Sequence, residues 1–159
     1  MHQQGFKREF AKMEGDFVVF LIGMRINSFW KIHKWFPAAM AMPKMIKELY
    51  QNKELGFIST EAWFGRTTIM VQYWQSFEHL EAYAKRNNSA HLPAWKAFNQ
   101  KIRKSGAVGV WHESYKAAKG TYENIYVNMP KFGLGKAGKL GSAAGKYEHA
   151  ADRIKGNLQ

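Results

Sequence analysis

Two histidines stand where they can do chemistry. His91 opens a helical segment, His91-Leu92-Pro93-Ala94-Trp95. A neutral imidazole there can ligate haem iron, and an unligated one can relay protons to a bound phenol or hydroperoxide. The plainer alternative is a residue at a helix N-terminus, bonded to a nearby carbonyl or carboxylate. His112 belongs to the run Trp111-His112-Glu113-Ser114-Tyr115. Period-two alternation groups it with Val108, Val110 and Ser114, opposite Trp111, Glu113 and Tyr115. If the Trp111 face points inward, Glu113 can orient Arg25 through an Arg-carboxylate fork; otherwise these residues pair at a sheet edge or a dimer interface. Arg25 and Asn27 end an apolar strand, where a buried strand meets a cavity mouth. Asn27 with Trp30 or Trp63 sets a polar amide beside an aromatic ring at such a mouth, the alternative being a strand exit with an asparagine turn. Arg66 and Gln72 are lesser candidates of the same kind.

Around them lies an aromatic set: Phe29, Trp30, Trp35, Phe36, Trp63, Phe64, Tyr73, Trp74 and Trp95. Such rings line flat apolar pockets that suit a polycyclic aromatic, a haem or a terpenoid chain. They also fill cores and interfaces. Met40, Met42 and Met45 read as adaptable packing rather than as ligands.

The elements that must position these groups follow from the hydrophobic pattern. Phe17 to Arg25 is β-rich and apolar at odd and even positions, so both faces of this strand are covered. Pro37 and Pro43 predict a broken entry and then a firm helix from about Met42 to Gln51. Phe57 to Phe64 and Arg66 to Trp74 form an antiparallel hairpin turning at Gly65. Ser76 caps a helix carrying Phe77, Leu80, Tyr83 and Ala84. Leu92, Trp95, Phe98 and Ile102 mark a second helical piece, and Ala107 to Tyr115 is the last core strand. The order is βαββαβ, a ferredoxin-like α+β sheet with helices on one face. The domain plan is an N-terminal arm over 1–16, the sheet domain over 17–127, with Tyr122 to Val127 as an edge strand, and a basic Gly/Lys-rich extension over 128–159, read as irregular or partly helical.

Composition narrows the chemistry. With 159 residues, 46% hydrophobic, the chain suits one domain with a substantial core. It has no cysteine, so disulfides and thiolate metal sites are excluded. There is no Gly-rich phosphate loop, HExxH word or nucleophile elbow, which weakens kinase, zinc-enzyme and hydrolase readings. The longest apolar run, Phe17 to Met24, is far below the roughly 20 residues of a membrane helix, and the start lacks signal-peptide order. A cytoplasmic protein is the expectation. Twenty-four Lys and Arg against twelve Asp and Glu give a net charge of +12. Lys131, Lys136, Lys139, Lys146, Arg153 and Lys155 are spaced with glycines and lack aromatic interleaving. This predicts no specific nucleic-acid recognition and, at most, weak contact with an anionic membrane surface.

Several words together resemble a known family: Gly23-Met24-Arg25-Ile26-Asn27 with Trp30, Trp63-Phe64-Gly65-Arg66-Thr67-Thr68, Gln72-Tyr73-Trp74-Gln75-Ser76, His91-Leu92-Pro93-Ala94-Trp95, Trp111-His112-Glu113-Ser114-Tyr115 and Tyr126-Val127-Asn128-Met129-Pro130-Lys131-Phe132-Gly133-Leu134. They resemble the monooxygenase af470-like domains of the dimeric α+β barrel superfamily, over about residues 15 to 138. The resemblance implies a homodimer pairing sheet to sheet, with a cavity between each sheet and its helices. It also implies a small-molecule enzyme, a monooxygenase-like oxidoreductase acting on an apolar aromatic or polyketide-like compound without metal or flavin. By that resemblance His91, Asn27, Arg25, His112 and Glu113 are the catalytic candidates, with Asn27 and Trp30 or Trp63 holding a substrate enolate close to dioxygen, and Trp30, Trp63, Phe64, Tyr73 and Trp95 are the substrate-binding ones. Haem-dependent relatives supply a second expectation, a haem enzyme with His91 as axial ligand. A basic surface-binding protein without catalysis is the third.

Overall fold

The computed structural model describes residues 6–86, 96, 100 and 105–156. Its main sheet has four strands: β2 (Phe17–Ile26), β3 (Phe57–Trp63), β4 (Ile69–Trp74) and β5 (Val108–Ala117). Their order across the sheet is β3-β4-β2-β5, every neighbouring pair antiparallel. With α1 (Ile32–Gln51) and α2 (Phe77–Lys85) between the strands, this is the ferredoxin-like α+β arrangement. Both helices lie on one face. Val18, Leu49, Phe57, Trp74, Leu80 and Tyr83 form the core beneath them.

The first helix differs from expectation. Pro37 and Pro43 lie inside one continuous helix of 20 residues rather than in a broken entry. Each proline removes one backbone bond and costs up to about 3 kcal/mol in a helix interior. The buried side of α1 offsets that cost: Trp35, Ala38 and Ala39 pack on Met24, Ile26 and Val108, and Met45, Ile46 and Leu49 pack on the main core. Local propensity thus yields to tertiary burial. The second helix begins as predicted, with Ser76 Oγ accepting a hydrogen bond from the His79 amide.

The termini also differ. The arm is a strand, β1 (Arg8–Lys12), and it is the centre of a second sheet between β6 (Tyr126–Val127) and β7 (Lys139–Ser142). The Asn124 side chain extends the ladder, accepting from the Ala11 amide and donating to the Ala11 carbonyl. The extension beyond residue 128 is therefore structured, with α3 (Leu134–Ala137), β7 and α4 (Ala150–Gly156). Phe17 and Tyr73 on the helix-free face of the main sheet pack with Ala11, Leu134, Tyr122, Tyr126 and Leu140. The chain's own second sheet thus covers part of the face on which a second subunit was expected.

Gly23 is required by a close approach. A Cβ built there would lie 1.9 Å from the Thr68 carbonyl oxygen and 2.8 Å from Trp111 Nε1. The Thr68 backbone is pinned, its amide donating to the Met24 carbonyl while its hydroxyl accepts from the Met24 amide. Gly23→Ala is expected to cost about 1–3 kcal/mol, the range for overpacking, read as a lower urea midpoint with unchanged slope.

Candidate active site

Between the main sheet and its helices lies a cavity of about 440 Å³. Helical spacing builds one wall, since Ala38, Ala41, Met42 and Met45 of α1 fall on a single stripe. α2 contributes Phe77, Leu80, Glu81 and Tyr83. The floor is the even-numbered face of three strands: Phe20, Ile22 and Met24 of β2, Met70, Gln72 and Trp74 of β4, and Val110, His112 and Ser114 of β5. The cavity is therefore mostly apolar with a few placed polar groups, the usual make-up of a small-molecule site.

The sheet register orders those polar groups. Phe20 stands opposite Gln72 on one side and Ser114 on the other, and Ile22 likewise stands between Met70 and His112. Gln72 is thus two strands, or about 10 Å, from Ser114 of β5. The His112 ring packs on Phe20 with centroids 5.8 Å apart. The Tyr83 hydroxyl donates to Glu48 at 3.4 Å, and burial followed by the Glu48 carboxylate pushes its ionisation well above the usual phenol range. A phenol so held stays protonated, which leaves the His112 imidazole on the floor and the Glu81 carboxylate, paired with Lys85, as the basic groups on this wall among the described residues.

The sequence candidates separate once they are placed. His112 lines the cavity, on the face shared with Ser114. Glu113 lies on the opposite face and accepts from the Tyr115 hydroxyl, while Arg25 stands opposite Gly109 and donates to Thr67. The Arg25–Glu113 fork therefore does not form, because four residues of register separate the two along β5. Asn27 donates to the Gly106 carbonyl, which fixes the strand exit and leaves it away from the cavity wall. Trp30 is 97% exposed and Phe64 80% exposed, both outside the cavity. Trp63, 44% exposed, packs edge-on against Phe132. Tyr73 is buried under the second sheet, where burial pushes its hydroxyl up to about 12. Neither the Asn27–Trp30 nor the Asn27–Trp63 pairing is assembled. His91 and Trp95 lie outside the described residues, as does most of the segment from 92 to 105 read as helical.

The rings that do line the cavity are Phe20, Trp74, Phe77 and Tyr83. Gln72 was a minor candidate, yet it is 2% exposed on the cavity floor. Alternation along Met70-Gln72-Trp74, one polar side chain between two large apolar ones, was the signal that marks it.

The basic extension is partly spent on the protein itself. Lys136 pairs with Glu61, Lys139 with Glu14 and Arg153 with Glu123. No helix among the described residues is long and apolar enough to cross a membrane.

Comparison with known proteins bears on this layout. The family model described as Monooxygenase af470-like matches residues 17–134, which is most of the chain. The chain belongs to the monooxygenase af470-like family. A curated member, Monooxygenase af470 of Aspergillus fumigatus, is 28% identical over 134 residues, covering 77% of this chain and 46% of its own length. The chain thus spans less than half of that family member. Among solved structures, a Bacteroides thetaiotaomicron protein of unknown function, described as a possible oxidoreductase, covers 65% of this chain and 99% of its own at 16% identity and a TM-score of 0.43. The Mycobacterium tuberculosis haem degrader MhuD covers 63% of this chain and 94% of its own at 17% identity and a TM-score of 0.31. The family match covers β2 through β6 and ends at the first residue of α3, so all the described walls of the cavity lie within it.

Proposed function

We propose that the chain is a monooxygenase-like oxidoreductase that takes an apolar, aromatic or polyketide-like substrate into the cavity and uses His112 as its base. What carries this reading is the union of an apolar cavity of about 440 Å³ with one imidazole on its described wall. The substrate class that suits such a site has a carbon acid made acidic by neighbouring rings and a carbonyl. His112 removes a proton from that CH₂, and the carbanion adds to dioxygen, giving a substrate hydroperoxide after the proton returns. Loss of the second C–H proton then breaks the O–O bond and releases hydroxide, which leaves as water. The net change is CH₂ plus O₂ to C=O plus H₂O, with all four electrons drawn from the substrate.

Haem fits the described residues less well. Its two propionates call for cationic partners, and the one charged side chain on the described wall is the carboxylate of Glu81. The axial candidate His91 lies outside the described residues.

Anthrone, a ketone with a doubly benzylic CH₂, is the probe. The expected result is one dioxygen consumed per anthraquinone formed, by protein that neither shifts nor sharpens the Soret band of added haemin. Turnover that depends on added haemin would replace this reading with the haem-dependent one, and no oxidation of any carbon acid of this class would remove it.

A further inference from the structure

Gln72 carries a hydrogen-bond donor that the protein leaves unused. Its side-chain oxygen accepts from Trp74 Nε1 at 3.0 Å, inside the sheet's helix-facing core. An indole N–H only donates, so this bond fixes which end of the amide is oxygen and which is nitrogen. The amide nitrogen must then point away from Trp74. It makes no hydrogen bond among the described residues, and it is absent from the side-chain atoms that are both sealed from solvent and unpartnered, Ser59 Oγ and Trp111 Nε1. A residue only 2% exposed on the cavity floor therefore leaves its unpartnered amide nitrogen open to the cavity space.

An amide donor that meets no protein acceptor on an apolar floor favours a ligand acceptor that reaches it. Trp74 is fully buried and holds the amide in place, so the donor is preorganised. The surrounding floor is apolar: Met70, Phe20 and Trp74 flank it. A cation or a second donor gains nothing there.

From this geometry we infer that Gln72 is a specificity-determining residue that donates a hydrogen bond to a carbonyl oxygen at the deep end of the cavity. The inference rests on the small-molecule reading above and sharpens its substrate class to aromatic ketones. The carbonyl docks at Gln72 and the reacting carbon lies toward His112, two strand spacings across and two residues along the floor, or about 12 Å between backbones. If the carbonyl is conjugated with the reacting carbon, charge that develops on removal of the proton spreads onto the oxygen held by Gln72, so the same bond strengthens as the reaction proceeds.

The test compares two ligands of one shape, 1-tetralone and tetralin, binding to the full chain under nitrogen, with Gln72→Met alongside the native protein. Methionine keeps the length and apolar bulk and removes the donor. The expected result is that the affinity ratio of tetralone to tetralin falls about tenfold in Gln72→Met while tetralin binds as before, since a lost hydrogen bond of about 1.4 kcal/mol is a factor of ten. An unchanged ratio overturns the inference and leaves the oxygenase reading standing. Failure of both ligands to bind the native protein overturns the cavity reading and this inference together. Should Gln72→Met not fold, because Trp74 Nε1 loses its acceptor, Gln72→Glu retains an acceptor and carries a donor only when protonated. Its ratio is then expected to recover toward the native value as pH falls, and a ratio independent of pH overturns the proposal.

Discussion

Replacing His112 by glutamine is expected to lower kcat for oxygen-dependent oxidation of anthrone by about 10²–10⁴-fold, the range contributed by a positioned general base. Glutamine preserves much of the volume and can still donate and accept hydrogen bonds, but it is not basic. KM is expected to change far less than kcat, because the Phe20, Met45 and Trp74 surfaces that hold the ligand are untouched. A parallel drop in binding with unchanged kcat would make His112 a packing residue. Glu113→Gln is the internal control. Its carboxylate lies on the opposite face of β5 and is engaged by Tyr115, so its loss is expected to leave turnover within about twofold, well inside the effect of removing a base.

Arg153→Met is expected to destabilise the fold by about 1–3 kcal/mol, the cost of leaving buried polar groups short of a donor, since Arg153 is buried and its partner Glu123 only partly so. Arg153 is 4% exposed; its guanidinium pairs with Glu123 and donates to the Tyr147 and Glu148 carbonyls. The substitution leaves one carboxylate and two carbonyls short of donors. Domain stabilities are about 5–15 kcal/mol, so a loss of this size takes a large share and is read directly from urea unfolding. Replacing both partners, Arg153→Met with Glu123→Leu, is expected to cost much less, since the stranded carboxylate is then gone. Equal losses in the single and double variants would show that the pair is not the source of the effect.

The contrast between these two residues reflects what was legible in the chain. His112 lies on a long strand of clear alternation, and its partnership with Ser114 followed from a period of two. Which of the two faces looked inward did not follow, because β5 is an edge strand whose middle is exposed on both sides. The four core strands and the Ser76 cap were readable for the same local reasons. Arg153 gave no such sign. It sits among Gly, Ala and Lys, and the burial of its guanidinium depends on Glu123 and on Tyr147, brought together by a sheet of two- to five-residue strands. Short strands carry too few residues to display a period, and their pairing partners lie far off in sequence. The aromatic words misled in the opposite sense. Trp30, Trp63 and Phe64 are large, clustered and suited to a pocket, yet they lie at strand exits and turns, where ring size does not decide burial. Gln72, which sequence reasoning passed over lightly, is a polar residue on a strand buried on both faces. Such a residue needs partners, and the protein supplies only one of them.

The second sheet also sets an order of events. Its central strand begins at Arg8 and pairs with β7, where Glu9 meets Ser142. A contact between residues so far apart closes a very large loop, which ranks it among the slow steps of folding. During synthesis the ferredoxin-like strands can assemble while the apolar patch around Phe17 and Tyr73 is still bare, waiting for Leu134 and Leu140 to emerge. The nascent chain is therefore most prone to aggregate in the interval after β5 completes the cavity floor and before residues 134–142 emerge.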